Sequence, residues 1–173
     1  MAQQSTNTAT AKGGNVSLLL RNIVFTLVVP GLGGVYVPWL IITRHGGSPN
    51  PVAWYGAAVI AAGALLYFSC QWVFGAVGRG TPGVWDSPRR VISVGPYRWV
   101  RNPIYIGALL IVSGEAWLFG SAAVLLYVAA LAVSFHLLVV YYEEPRLRAR
   151  FGEAYETYRR TVPRWIPRPP RNR

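Results

Sequence analysis

Acidic residues are scarce in this chain of 173 residues: Asp86 and five glutamates stand against 16 arginines and one lysine, for a formal net charge of +11. Charged residues make up only 13% and hydrophobic ones 53%. Soluble domains carry about a quarter charged residues, so this balance excludes an ordinary soluble domain. A basic soluble chain would suggest a nucleic-acid partner. Here the arginines fall between apolar runs, which is the pattern of cytoplasmic membrane loops and implies no nucleic acid. The single cysteine, Cys70, excludes an internal disulfide and is expected as a small core residue. With two histidines and that one thiol, no metal-ligand cluster forms, and no nucleophile-plus-base arrangement is present. "GRGTPG" near residue 80 does not follow a strand, so it is no phosphate loop.

What remains is apolar length. Nothing is charged between Arg21 and Arg44, or from Gly46 to Gly78. The first run carries Pro30, Gly31, Gly33 and Gly34 in mid-span, which predicts a kink or a close helix contact. The second, about 52–75, offers Gly56, Ala57, Ala61 and Gly63 for packing. After a polar stretch come apolar runs from Pro103 to about Leu118 and from about Ser121 to Tyr142. Only "FGS" separates these two, so they are expected as an antiparallel hairpin. The fold class expected is all-α: an integral membrane bundle of about four transmembrane helices, with this hairpin and an interfacial tail helix. Five arginines lie in 76–102 and nine after 142, against Arg44 alone in the opposite loops. Four spans therefore place both termini in the cytoplasm. The division expected is a disordered leader 1–17 without signal-peptide character, two helices in 18–75, and a functional core in 76–173.

The stretch "GPYRWVRNPIYIG", residues 95–107, puts detail at the start of the third span that an anchor does not need. Asn102 is a favoured N-cap, and Pro103 suits the first helical position. Tyr97, Arg98 and Arg101 precede them and Tyr105 comes just after. Arginines beside the positive end of a helix make an anion site at the membrane edge. The hairpin returns "YYEEPRL" to the same face, so Glu143 and Glu144 converge on Arg101, Asn102 and Tyr105 across about 40 residues of sequence. Acids at a membrane boundary point to function. The mixed charges suit a zwitterionic ligand. They equally suit an Arg–Glu pair that locks the hairpin, with the aromatics as an interfacial belt, and both readings stand at this point.

"GPYRWVRNPIYIG", "EEPRL" and "FGEAYETYRRTVPRWIP" resemble, in order and spacing over about residues 78–167, the membrane methyltransferases typified by isoprenylcysteine carboxyl methyltransferase and by phospholipid methyltransferases. The resemblance implies S-adenosylmethionine from the cytosol as methyl donor and a lipophilic acceptor from the bilayer: an isoprenylcysteine-like carboxylate, a phospholipid amine or a small thiol. It implies a bacterial inner-membrane protein. Carried onto this chain, the family's motif falls on Arg101, Asn102, Pro103, Tyr105, Glu143 and Glu144; these are expected to contact the donor together with the neighbouring Tyr97 and Arg98, and catalytic roles are expected of Arg101 and Glu143. The carboxyl methyltransferases usually have His where this chain has Asn102, and Asn carries no proton near neutral pH.

His136, seven residues before Glu143, is expected on the same helix face, as a proton acceptor for an amine or thiol or as a packing residue. Glu115 is expected as a solvated loop acid at the far end of the third span, or as a substrate contact. Phe151, Tyr155 and Tyr158 predict one amphipathic interfacial helix, and the Pro-rich end an extended tail whose arginines meet anionic headgroups. Asp86 is expected to pair with Arg89 or Arg90. The competing functions are a non-catalytic scaffold that binds anionic membrane lipids and a transporter subunit. The latter would need intramembrane charge that the first two spans nearly lack.

Overall fold

The computed structural model describes residues 31–48, 51–78 and 91–170. The leader, Pro30, the Asp86 pairing and "GRGTPG" lie outside them. Every regular element among the described residues is helical. A π-helical turn, Leu32–Tyr36, leads into α1, Val37–His45. α2 is Ala53–Val73, and a short 3-10 turn, Gly95–Arg98, precedes α3, Pro103–Leu118. α4, Ala122–Leu138, passes through another π turn, Val139–Glu143, into α5, Glu144–Phe151, and α6 is Glu153–Thr161.

A further π turn, Phe74–Gly78, ends α2; proline explains the other two. Pro38 and Pro145 have no N–H to give the carbonyl four residues back, and their rings crowd it. The helix ahead of each widens instead of breaking. The irregularity expected in the first span is therefore present and centred on Leu32–Tyr36. There the Gly33 carbonyl accepts the Tyr127 hydroxyl at 2.9 Å.

α2 and α3 pack antiparallel through two reciprocal glycine pairs. A Cβ on Gly56 would stand 2.7 Å from the Gly114 carbonyl oxygen, and one on Gly63 would stand 2.8 Å from that of Gly107. Gly56 and Gly63 thus pack as expected, whereas Ala57 and Ala61 face outward. Gly114→Ala would place its Cβ 2.6 Å from the Gly56 carbonyl oxygen. Overpacking of this kind costs about 1–3 kcal/mol. The expected outcome is a lower thermal midpoint for Gly114→Ala, while Ala57→Leu on the outward face leaves it unchanged.

α3 and α4 form the expected hairpin. Gly120 turns the chain at φ +54°, and Ser121 caps α4 by accepting the Val124 N–H at 3.4 Å. Val112, Ala116 and Val124 are buried at this seam, with Ile41 and Ile42 of α1 against them. At the other end, Cys70, Ile92 and Tyr97 form a second buried cluster, so Cys70 is a core residue.

Two helices, Ala53–Ala76 and Ala122–Phe151, are long and apolar enough to cross a membrane, and α3 is a shorter apolar helix. Two of the four expected spans therefore have full crossing length among the described residues. Two expectations need correction. Glu115 is not a solvated loop acid: α3 continues past it to Leu118, and its Oε2 is buried without a hydrogen bond. Phe151, Tyr155 and Tyr158 do not share one helix, because Gly152 at φ +53° separates α5 from α6. The tail is extended, as expected, and runs back along residues 99–102 with Arg168 exposed.

Candidate functional site

The site grows from the start of α3. Asn102 occupies the N-cap position but makes no side-chain cap, contrary to expectation. Its Nδ2 donates instead to the Arg164 carbonyl at 3.1 Å. The Arg101 N–H donates to the Pro163 carbonyl at 2.8 Å, and the Arg168 N–H to the Trp99 carbonyl at 3.0 Å. The extended tail has unpaired carbonyls to offer, and the positive helix end draws them. Pro103 is buried at the first helical position and removes one orphan N–H. The amides of Ile104 and Tyr105 still have no intrahelical acceptor.

The hairpin brings the two glutamates to this end, as the sequence implied, and there they part. Glu144 is 4% exposed. Its Oε1 accepts from Arg101 Nη1 at 2.9 Å and from Arg164 Nε at 2.7 Å, and its Oε2 accepts from Arg164 Nη2 at 3.0 Å. Arg148 stands 3.9 Å away. The grip on Arg164 is bidentate, the strong form of this pair. Hydrogen bonding to Glu144 raises the pKa of Arg164 above its ordinary value. Glu143, one residue earlier, makes no ion pair among the described residues and accepts a hydrogen bond from the Tyr105 hydroxyl.

α6 closes the arrangement beyond this end of the hairpin. The buried Tyr155 accepts from Arg101 Nη1 at 3.4 Å, and the Tyr158 hydroxyl donates to the Tyr97 carbonyl at 2.7 Å. Its aromatic face therefore meets protein, where the sequence suggested lipid. Burial pushes the phenols of Tyr97 and Tyr158 above their ordinary range, so both are neutral donors. One buried polar atom of the cluster, Arg101 Nε, has no hydrogen-bond partner, whereas the Tyr97 hydroxyl lies against the Cys70 thiol.

The other sequence candidates fall outside it. Arg98 is exposed, and among the described residues nothing joins it to the cluster. His136 is exposed, and its Nδ1 accepts the Trp165 indole N–H at 3.1 Å. The seven-residue spacing misleads here. The π turn Val139–Glu143 inserts a residue between His136 and Glu143, which rotates the downstream helix by about 100°. Arg164 and Trp165 were missed as site residues. Nothing periodic marks them; the only signal is their place between Pro163 and Pro167, where the chain must stay extended.

The sequence profile of the family described as phospholipid methyltransferase matches residues 52–154. The chain belongs to that family. It is a membrane methyltransferase. No curated protein and no solved structure matches it. The match begins at the start of α2 and ends just after α5, so it takes in the α3 start and both glutamates. It stops short of most of α6 and of the tail, which carries Arg164.

Proposed function

We propose that this methyltransferase moves a methyl group from S-adenosylmethionine to a lipophilic acceptor, with the donor held at the start of α3. The observation that carries this is the division of labour between the glutamates. Glu144 is saturated by arginine, while Glu143 makes no ion pair among the described residues and is held by Tyr105, and the buried Arg101 Nε close by has no hydrogen-bond partner. Buried polar atoms without partners are rare in folded proteins, and a ligand is one explanation. A lone carboxylate next to positively polarised N–H groups complements a zwitterion with a cationic and an anionic end. S-adenosylmethionine is such a molecule, and it supplies a sulfonium methyl for in-line displacement.

The chain's own residues then bind, orient and exclude water. Arg101 and the α3 amides face the donor's anionic end and Glu143 its cationic side, with Tyr105 fixing the Glu143 carboxylate. The family match supports an amine headgroup among the acceptors considered. An amine must lose a proton, and Glu143 is the group placed to take it. His136, already occupied by Trp165, is assigned to docking the tail. Four spans with both termini in the cytoplasm agree with the arginine asymmetry. They leave 76–173 as the working core and deliver donor and acceptor to one membrane face. A C-terminal reporter is expected to be active only in the cytoplasm; activity outside would contradict the layout.

Equilibrium binding of S-adenosylmethionine to the purified protein tests the reading against a lipid-binding scaffold, which needs no such ligand. Saturable binding is expected, and its absence in folded protein overturns the proposal. Asn102→Ala is expected to weaken that binding by releasing the tail, at a cost of about 1 kcal/mol for one hydrogen bond. Asn102→His, able to donate to the same carbonyl, should restore it without a new ionisation in the pH–rate profile.

A further inference from the structure

The structure sorts the arginines of the C-terminal region into two sets. Arg101 and Arg164 are taken up by Glu144, Arg148 and Arg159 by Glu156, and Arg160 by Glu153. Arg168 of the tail meets no carboxylate among the described residues, and neither do Arg146 and Arg150. Both lie on the outside of α5, one helical turn apart. The Arg146 guanidinium lies over the Tyr142 ring, 4.5 Å from its centroid, and also hydrogen-bonds that hydroxyl. The Arg150 guanidinium stands 5.5 Å from the Phe151 centroid. A guanidinium resting on a ring is held in one orientation and still presents N–H edges outward, the geometry that grips phosphate in two places.

Depth gives an independent argument. α5 continues a helix whose outer side is apolar: Leu126 is 73% exposed and Tyr141 76%. From Ala122 to Tyr142 the helix rises about 31 Å, close to the hydrocarbon thickness of a bilayer of about 30 Å. Arg146 then stands about 6 Å beyond the hydrocarbon and Arg150 about 6 Å further. That is the level of lipid headgroups, on the side of the helix that meets lipid.

We propose that Tyr142, Arg146 and Arg150 form a binding site for the headgroup phosphate of an anionic phospholipid in the surrounding membrane. The site is separate from the Glu143–Glu144 cluster and does not depend on the donor reading. It uses excess positive charge that no acid among the described residues neutralises, where the membrane supplies the opposite sign.

The test is native mass spectrometry of the full chain, purified from vesicles of phosphatidylcholine and phosphatidylglycerol, counting the lipid retained. The wild type is expected to retain phosphatidylglycerol preferentially. The double variant Arg146→Gln/Arg150→Gln should lower that preference about tenfold, the scale of charge-assisted hydrogen bonds. Arg159→Gln/Arg160→Gln removes the same charge from the carboxylate-paired set and should leave the preference intact. Arg146→Lys, a milder change that keeps the charge, should lower it as well, and guards against a double variant that does not fold. An equal fall in both double variants would show bulk charge attraction and overturn the site, as would no fall in the first. Displacement of the retained lipid by inorganic phosphate would equally contradict a headgroup docked from the bilayer.

Discussion

Glu144→Ala is expected to lower the thermal midpoint by on the order of 10 °C, with activity lost as a consequence. The carboxylate is 4% exposed and holds Arg101, whose side chain is 9% exposed. Removing one partner of a buried ion pair leaves the other charge uncompensated, at about 3–5 kcal/mol. Arg164 loses its bidentate partner in the same step, so the tail loses a main attachment to α5. Arg164→Leu should cost less, because Arg101 keeps its carboxylate. Cys70 provides the readout: it is the only thiol and is 0% exposed, so a thiol-reactive dye reports unfolding directly. An unchanged midpoint together with lost donor affinity would show that Glu144 contacts ligand and does not clamp the fold.

Glu143→Gln should do the opposite. Its carboxylate makes one hydrogen bond, from Tyr105, and a glutamine carbonyl can accept the same bond. The thermal midpoint is expected to move little. The variant nevertheless loses the carboxylate of this pair that makes no ion pair with arginine among the described residues. If Glu143 takes the acceptor's proton, methyl transfer falls by about 10²–10⁴-fold. Tyr105→Phe, which only loosens that carboxylate, should be milder. A Glu143→Gln protein that unfolds in step with Glu144→Ala would show that the two acids share a structural role and remove the basis for separating them.

That separation was not legible in the sequence, although much around it was. The hairpin followed from apolar lengths and the three residues between them, and it carried both glutamates to the α3 start. Gly56 and Gly63 were visible as small residues, but their partners Gly107 and Gly114 were not, because pairing between helices leaves no mark along either one. The π turns Leu32–Tyr36 and Val139–Glu143 follow from Pro38 and Pro145. Overlooking the second gave His136 the wrong face relative to Glu143. Asn102 looked like a cap because of its residue type and position; the tail carbonyl that takes its amide lies 62 residues away. Arg164 sits in a segment with no period at all. Which arginine neutralises which glutamate is decided by tail docking, a tertiary event without local signature, and so adjacent identical residues acquired different environments.

The central claim is that the Glu143 side of this cluster serves methyl transfer from S-adenosylmethionine. It is tested most directly by incubating the purified protein with methyl-labelled donor and total membrane lipid extract, and measuring label in the lipid fraction. The account predicts labelled lipid from the wild type and from Arg98→Gln, whose exposed side chain is outside the cluster, and almost none from Glu143→Gln at equal folded fraction. Undiminished labelling by the Glu143 variant, or none by the folded wild type, would contradict it.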